Sequence, residues 1–157
     1  MTDAKEERVR KAFADQAMWC ERMGSPFTAR LSSVISERID RSTEIGRRVL
    51  KWPGNPDGWA DGLPLRLCGG LHALKRRGSA PALTACYPPH PLPEVDRLWA
   101  AVSDAFSREE AFLLPWLDNP PQTNEVGRAN ALMSGLLVFA ATFGRPIALL
   151  ELGASAG

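Results

Sequence analysis

The sequence lacks the features of secreted and membrane-spanning proteins. Its three cysteines lie far apart and form no C-x-x-C pair, which excludes a disulfide framework and favours a reducing compartment. The N-terminus is charged where a signal peptide needs an apolar stretch. The longest apolar stretch, residues 131–143, is interrupted by Ser134, Gly135 and Thr142 and is shorter than the roughly 20 residues that span a bilayer. We therefore expect a cytoplasmic protein with no membrane partner.

The chain also lacks a surplus of either charge. Nineteen basic and eighteen acidic residues leave a net charge of +1, so no global field attracts the protein to nucleic acid or to an anionic membrane. What remains is an ordinary globular composition, with 45% hydrophobic and 24% charged residues. A chain of 157 residues is long enough to bury one hydrophobic core.

Apolar residues recur at helical spacing along most of the chain, which predicts a compact, mainly α fold of about seven helices. This spacing covers residues 3–23, 26–39, 42–50, 63–77, 79–86, 94–106, 107–117 and 124–143. Candidate N-terminal caps are Asp3, Ser25, Ser42, Ser107 and either Thr123 or Asn124. Gly24, Gly78 and Gly144 are expected to end helices, because glycine readily adopts the left-handed conformation found there.

The last apolar run, Ile147 to Leu152, is too short for a helix and lies between a proline and a glycine. We predict that it forms a short buried strand, which would start an α/β, Rossmann-like domain. The predicted domains are therefore a helical N-terminal domain over residues 1–145 and, over residues 146–157, the first strand and glycine-rich turn of a truncated α/β domain.

This strand and the small residues that follow resemble the first motif of class I S-adenosylmethionine-dependent methyltransferases. Glycines suit such a turn because the backbone must bend sharply and approach the cofactor without an intervening side chain. The resemblance implies that Glu151 organises the turn, while Gly153, Ser155 and Gly157 line the cofactor. Ser155 stands where many such enzymes have glycine.

A wider resemblance covers nearly the whole chain, which is similar to the uncharacterised bacterial domain-of-unknown-function family 2332. The segments that carry it are Ser25-Pro-Phe-Thr-Ala-Arg-Leu31, Gly46-Arg-Arg-Val-Leu50, Leu63-Pro-Leu-Arg-Leu67, Pro120-Pro-Gln-Thr-Asn-Glu125 and Leu149-Leu-Glu-Leu-Gly-Ala-Ser-Ala-Gly157. The resemblance implies that this chain is an N-terminal half whose partner is the C-terminal half of the same protein. On that basis S-adenosylmethionine is expected in the full-length protein, and the fragment alone is expected to hold no cofactor and to be inactive.

Asn119-Pro-Pro-Gln122 resembles the Asn-Pro-Pro-aromatic loop of amino-methyltransferases, with glutamine in place of the aromatic residue. The simpler interpretation is that two prolines end one helix and polar residues cap the next. The residues expected to face substrate are Gln122, Thr123, Asn124 and Glu125, a dense set of hydrogen-bonding groups near a helix start. The sequence identifies no catalytic residue.

Two other sets of residues have side chains that can bind a metal ion or act in catalysis. Cys68 and His72 lie one helical turn apart with Cys86 nearby, but a fourth ligand is missing, so no metal site is predicted. His90 could act as a base only beside a carboxylate, and a loop histidine is favoured.

Basic residues cluster in the second and third helices and again at Lys75 to Arg77. Arg38, Arg41, Arg47, Arg48 and Lys51 form the first cluster. Solvated helix faces are favoured here over phosphate binding. Trp52 and Trp59 flank a loop rich in proline and glycine, where they either stack nucleic-acid bases or, more commonly, hold the loop on the core. Nucleic acid is not the expected partner.

These observations favour a helical cap or substrate-selecting domain of an S-adenosylmethionine-dependent methyltransferase-like protein. The alternative is a non-catalytic helical protein-interaction module. A homodimer is compatible with both interpretations, and an enzyme directed at nucleic acid ranks third.

Overall fold

The computed structural model describes residues 3–121 and 127–148. The described residues contain eight α-helices: α1 (Ala4–Arg22), α2 (Pro26–Arg38), α3 (Glu44–Leu50), α4 (Leu63–Arg77), α5 (Pro81–Thr84), α6 (Val95–Arg108), α7 (Glu110–Asp118) and α8 (Gly127–Phe143). The predicted mainly α fold is confirmed, and the described residues form eight helices where about seven were expected. No helix in these ranges has the length and apolar character needed to cross a membrane.

The chain divides into two compact units, unit 1 (Met1–Pro121) and unit 2 (Gln122–Gly157). Unit 1 contains α1 to α7, and the described part of unit 2 contains α8 and the residues that follow it to position 148. The domain boundary that the sequence places near residue 145 stays a prediction.

Unit 1 is held together by one hydrophobic cluster to which each of its helices contributes. The largest fully buried side chains are Phe13, Phe106, Leu31, Ile35, Ile39, Ile45, Leu50, Leu63, Leu67, Leu71, Leu74 and Leu83. They recur at three- and four-residue intervals within the longer helices, so each helix buries one face. Ser32 is the polar residue buried among them, and its hydroxyl lies 3.8 Å from the Cys68 sulfur.

The pair α1 and α2 forms the first hairpin of this core. Asp3 caps α1 by accepting a hydrogen bond from the Lys5 amide at 3.1 Å, as predicted. Gly24 turns the chain between the two helices with a φ of 73°, in the left-handed region that favours glycine. Arg10 then joins them, since its guanidinium donates to the Ser36 carbonyl at 2.6 Å while the Ser36 hydroxyl donates to the Arg10 carbonyl at 2.8 Å.

Several predicted helix ends are wrong in detail. Thr43, rather than Ser42, caps α3 by accepting from the Gly46 amide at 3.1 Å. Ser25 precedes α2 without a capping hydrogen bond from its side chain. Ser107 lies inside α6, where its hydroxyl donates to the Ser103 carbonyl at 3.0 Å, so the predicted capping box does not form. A hydroxyl side chain can hydrogen-bond to backbone groups either at a helix cap or inside a helix. Tertiary packing decides which of these two positions it occupies.

The predicted C-terminal strand is not part of the described fold. Residues 147 and 148 have no regular secondary structure, and residues 149–152 lie outside the described residues. The described ranges therefore show helices without a strand, and the Rossmann-like start stays a prediction. Gly144, by contrast, follows α8 with a φ of 58°, as expected of a glycine at a helix end.

Two glycines of unit 1 lie in close contacts, and the contact at Gly46 leaves no space for a side chain. A Cβ atom at Gly46 would lie 1.9 Å from the Asp40 carbonyl oxygen, so α3 passes directly against that backbone group. A Cβ atom at Gly70 would lie 3.1 Å from Leu113 and Trp116, because α4 and α7 approach closely there. A Cβ atom at Gly69 would meet its nearest neighbour, Trp116, at an ordinary 3.6 Å.

These distances predict different effects of two glycine-to-alanine substitutions on the free energy of unfolding. Gly46→Ala should lower the free energy of unfolding by about 1–3 kcal/mol, because the backbone of Asp40 must move to admit the methyl group. Gly69→Ala should be neutral or raise it by up to about 1 kcal/mol, because alanine is the better helix former and space is available. Urea unfolding followed by circular dichroism measures both, and equal effects would contradict the packing described here.

Candidate functional site

A surface groove of about 410 Å³ lies between α1, α2 and the segment that leads into α6. Its apolar lining comes from Ala17, Ala29, Val34, Leu92 and Val95. Its polar lining comes from Glu21, Arg30, Ser33 and Glu37. The volume is within the range of natural ligand and peptide sites, so we take this groove as the candidate site of unit 1.

Two arginines of α2 fix the wall of this groove. The Arg30 guanidinium donates to the Pro93 carbonyl at 2.9 Å, which ties α2 to the segment before α6. Arg38 forms an ion pair with Asp96 in the first turn of α6 at 2.6 Å. The guanidinium groups of Arg30 and Arg38 are therefore both held in contacts within unit 1.

The two carboxylates of the groove lie at its edge in contact with solvent. Glu37 accepts a hydrogen bond from the Ser33 hydroxyl one turn earlier at 3.0 Å, and Glu21 lies near the end of α1. Within residues 3–121 and 127–148, neither carboxylate forms an ion pair. Because Arg30 also lines the groove, the two carboxylates leave the lining with a net formal charge of −1.

The basic cluster predicted from the sequence is largely neutralised by neighbouring carboxylates. Besides the Arg38–Asp96 pair, Arg41 contacts Glu6 at 2.5 Å and Arg47 contacts Glu44 at 2.8 Å, while Arg48 pairs with Asp118. Such pairs leave little positive potential for a phosphate group. The structure therefore supports the interpretation of these residues as charged helix faces.

The two loop tryptophans occupy different environments. Trp52 is half-buried, its indole N–H donates to Asp61 at 2.7 Å, and the Arg66 guanidinium lies 5.6 Å from its ring centre. Arg66 also donates to the Asp61 and Leu117 carbonyls at 2.6 and 3.0 Å. Trp52 thus holds the loop on the core, whereas Trp59 is 91% exposed and meets the edge of the Trp19 ring.

The cysteine and the histidine of α4 lie in different environments. Burial raises the pKa of the Cys68 thiol to about 12, which keeps it protonated when no metal ion is bound. Burial lowers the pKa of His72, and the nearby Lys75 and Arg76 lower it further. Throughout the part of the chain that the structure describes, no group of three metal-ligating side chains occurs.

The tyrosine beside these residues is one of two described residues whose buried side-chain oxygen has no hydrogen-bond partner, the other being Ser79. The Tyr87 ring lies 4.2 Å from the Phe27 ring centre and 5.7 Å from that of His72. Its hydroxyl is buried and has no hydrogen-bond partner among the described atoms, and burial raises its pKa. His90 follows on the surface, where its backbone amide donates to the Tyr87 carbonyl at 3.1 Å.

The residues predicted to contact cofactor and substrate all lie outside the described residues. They are Glu151, Gly153, Ser155 and Gly157 for the cofactor and Gln122, Thr123, Asn124 and Glu125 for the substrate. Next to them, the Asn119 side chain donates to the Pro115 carbonyl at 2.8 Å, just after α7 ends at Asp118. This contact agrees with the interpretation of Asn119-Pro-Pro as a helix stop.

The groove itself was not anticipated from the sequence. Arg30, Ser33 and Glu37 recur at helical spacing on α2, and this polar stripe beside the apolar face is the signal that could have indicated it. The opposite wall, Leu92 to Val95, lies far away in the sequence, and its position depends on tertiary packing.

One family model matches the chain over residues 10–157, and its description reads "Uncharacterized protein conserved in bacteria (DUF2332)". The matched region includes the groove, α8 and the glycine-rich residues at the C-terminus. No curated protein and no solved structure matches the chain. The family description specifies no reaction, ligand or partner.

Burial of all three cysteines predicts slow reaction with thiol reagents. The folded protein should react with Ellman's reagent at neutral pH far more slowly than a free thiol, because burial hinders access and raises the pKa of Cys68 and Cys86. Addition of guanidinium chloride should make all three thiols react at once. Fast reaction of Cys68 in the folded protein, identified by mass spectrometry, would contradict the assigned environment.

Proposed function

The chain belongs to this family of uncharacterised bacterial proteins, and we propose, from its own sequence and surface, that it is the helical cap or substrate-selecting domain of an S-adenosylmethionine-dependent methyltransferase-like protein. The cofactor would be held by an α/β floor that begins with the apolar segment at Ile147. In this proposal Glu151, Gly153, Ser155 and Gly157 line the cofactor, and the Gln122 to Glu125 segment faces the substrate. The substrate and the catalytic group stay unassigned.

The sequence after α8 supports the cofactor part of this proposal. An apolar run is followed by an acidic residue and by Gly153 and Gly157 with only small residues between them. A side chain larger than that of alanine or serine at these positions would keep the backbone away from a ligand. The same order of strand, glycine-rich turn and helix start is used to bind nucleotide-like cofactors.

The observation that carries the proposal is the surface of α8. Leu132, Leu137 and Val138 are more than 60% exposed, and Met133, Phe139 and Phe143 are also exposed. These residues do not share one side of the helix, so α8 is apolar around most of its circumference. An apolar helix of this kind in a globular protein is normally covered on several sides.

A helix that precedes a short apolar segment is the usual arrangement in α/β domains, where helices cover both faces of a parallel sheet. A sheet that begins at Ile147 would supply a large apolar face of the kind that α8 lacks among the described residues. The exposed surface of α8 and the glycine pattern after it therefore support the same interpretation.

Isothermal titration of the natural full-length protein with S-adenosylmethionine tests this proposal. We expect saturable binding that Gly153→Val weakens at least tenfold, because the side chain would occupy the space of the ligand. Gly69→Ala is the control, since a Cβ atom at Gly69 makes only ordinary contact with Trp116 at 3.6 Å within unit 1. Absence of binding at millimolar ligand, or equal affinity of the Gly153→Val variant, would overturn the proposal.

A protein-interaction module is the second candidate function, and an exposed apolar patch on unit 1 favours it. Met18, Trp19, Met23 and Trp59 form this patch, in which Met23 is 79% exposed. The two tryptophan rings meet edge to face with centres 6.4 Å apart, and Arg22 lies 5.4 Å from the centre of the Trp19 ring. Contiguous exposed apolar groups of this kind are typical of interaction surfaces.

If this patch joins two copies of the chain, light scattering after size-exclusion chromatography should show a mass that rises towards that of a dimer with concentration. Trp59→Ser should then abolish the rise without loss of stability, because the Trp59 side chain is almost fully exposed. A monomer at all concentrations, or a dimer that Trp59→Ser leaves unchanged, would argue against self-association through this patch.

A further inference from the structure

The groove on α2 has the length and the openness of a peptide-binding surface. Its lining runs along α2 from Pro26 to Glu37, which corresponds to about 16 Å at the rise of an α-helix. It is open to solvent on one side, and the exposed Leu92 side chain forms part of the opposite wall. A strand of about five residues or a helix of three turns would fit along this distance.

The floor of the groove is apolar. Ala17, Ala29, Val34 and Val95 contribute short aliphatic side chains to its lining. Small aliphatic side chains at these positions leave room for one bulky aliphatic side chain of a ligand. Groove sites that bind helices or strands commonly have such a floor, and the ligand inserts its apolar residues there.

The charge around this floor is complementary to a cation. Glu21 and Glu37 bring two carboxylates to the edge, and no ion pair to either is present among the described residues. Arg30 also lines the groove and keeps its positive charge, because its hydrogen-bond partner, the Pro93 carbonyl, is neutral, whereas Arg38 pairs with Asp96 outside the lining. Two carboxylates against one guanidinium leave the lining with a net formal charge of −1. A ligand with positive charges placed at Glu21 and Glu37, away from Arg30, would supply a partner for each carboxylate.

We propose that this groove binds a short basic amphipathic segment of a partner protein. One aliphatic side chain of the segment occupies the floor between Ala29 and Val34, and Leu92 packs against it. Lysine or arginine residues on either side of that anchor pair with Glu21 and Glu37. This inference is independent of cofactor binding, because every residue that it uses lies in unit 1.

The same features argue against other ligand classes. The net negative charge of the lining, two carboxylates against one guanidinium, disfavours phosphate groups and therefore nucleic acid. It would likewise repel an acidic peptide. An open, elongated groove gives little enclosure to a small rigid molecule, which usually needs to be buried over most of its surface.

Exposed ion pairs are weak, so each carboxylate should contribute modestly to affinity. Removal of one charge should weaken binding by about threefold, and removal of both by about tenfold. The affinity should also fall as salt is added, because these charges are exposed to solvent. Leu92→Ser should weaken binding independently of salt, since it removes apolar contact area.

The test is selection of a display library of random dodecapeptides on the full chain, with the Glu21→Gln/Glu37→Gln variant in parallel. We expect the enriched peptides to share an aliphatic residue flanked by lysine or arginine and to bind the variant about tenfold more weakly. Glu7→Gln/Glu109→Gln is the matched control, because it removes two carboxylates that do not line the groove and should leave affinity unchanged. Circular dichroism verifies that each variant is folded.

Three outcomes of this selection would overturn the proposal. They are the absence of enrichment on the folded protein, enrichment of peptides without the basic residues, and equal affinity for the wild type and the Glu21→Gln/Glu37→Gln variant. Binding of basic peptides that the Glu7→Gln/Glu109→Gln variant weakens to the same extent would also contradict it, because the attraction would then be non-specific.

Discussion

The contact between α1 and α2 is the interaction on which the rest of unit 1 depends. Phe13 on α1 and Leu31 and Ile35 on α2 are almost fully buried, and they form the part of the core that the later helices cover. Arg10 and Ser36 exchange hydrogen bonds between side chain and backbone, which fixes how the two helices lie along one another. The groove exists because the opposite edge of this hairpin, near Ala17 and Ala29, is only partly covered by the segment before α6.

Unit 1 and α8 differ in how much of their apolar side-chain surface is buried. In unit 1 each helix buries one apolar face and exposes one polar face, so the described residues account for the burial of their own core. The side chains of α8 are mostly apolar and mostly exposed. An isolated helix of this length is only marginally stable in water, and contact with other polypeptide normally provides its stability. The proposed function follows from this difference together with the glycine pattern after α8.

Much of the helical fold could be predicted from the sequence, because burial of one helix face leaves a periodic pattern. The bounds of α4 were predicted correctly, since Leu67, Leu71 and Leu74 define a face and Gly78 ends it. The sequence alone could not distinguish Ser42 from Thr43 as the cap of α3, since both hydroxyls suit the position. The course of the preceding loop decides which of the two becomes the cap. The close passage of Gly46 past the Asp40 carbonyl likewise depends on tertiary packing and leaves no periodic signal.

The candidate site was harder to predict than the fold. The sequence motifs predicted substrate contacts at Gln122 to Glu125 and cofactor contacts at Glu151 to Gly157. Both segments lie outside the described residues. The groove consists of ordinary residue types from three separate parts of the chain, and only their spatial proximity makes them a site. The ion pairs of the basic cluster could not be predicted from the sequence either, because partners such as Glu6 and Asp118 are distant from their arginines along the chain.

The central claim is that unit 1 buries its own hydrophobic core, whereas the side chains of α8 are mostly apolar and exposed. Hydrogen exchange of the 157-residue chain, followed by mass spectrometry at low protein concentration, tests this most directly. The account predicts that backbone amides in α2 and α4 exchange only when the whole unit unfolds, while those in α8 exchange rapidly through local opening. Protection of α8 equal to that of α4 would contradict it.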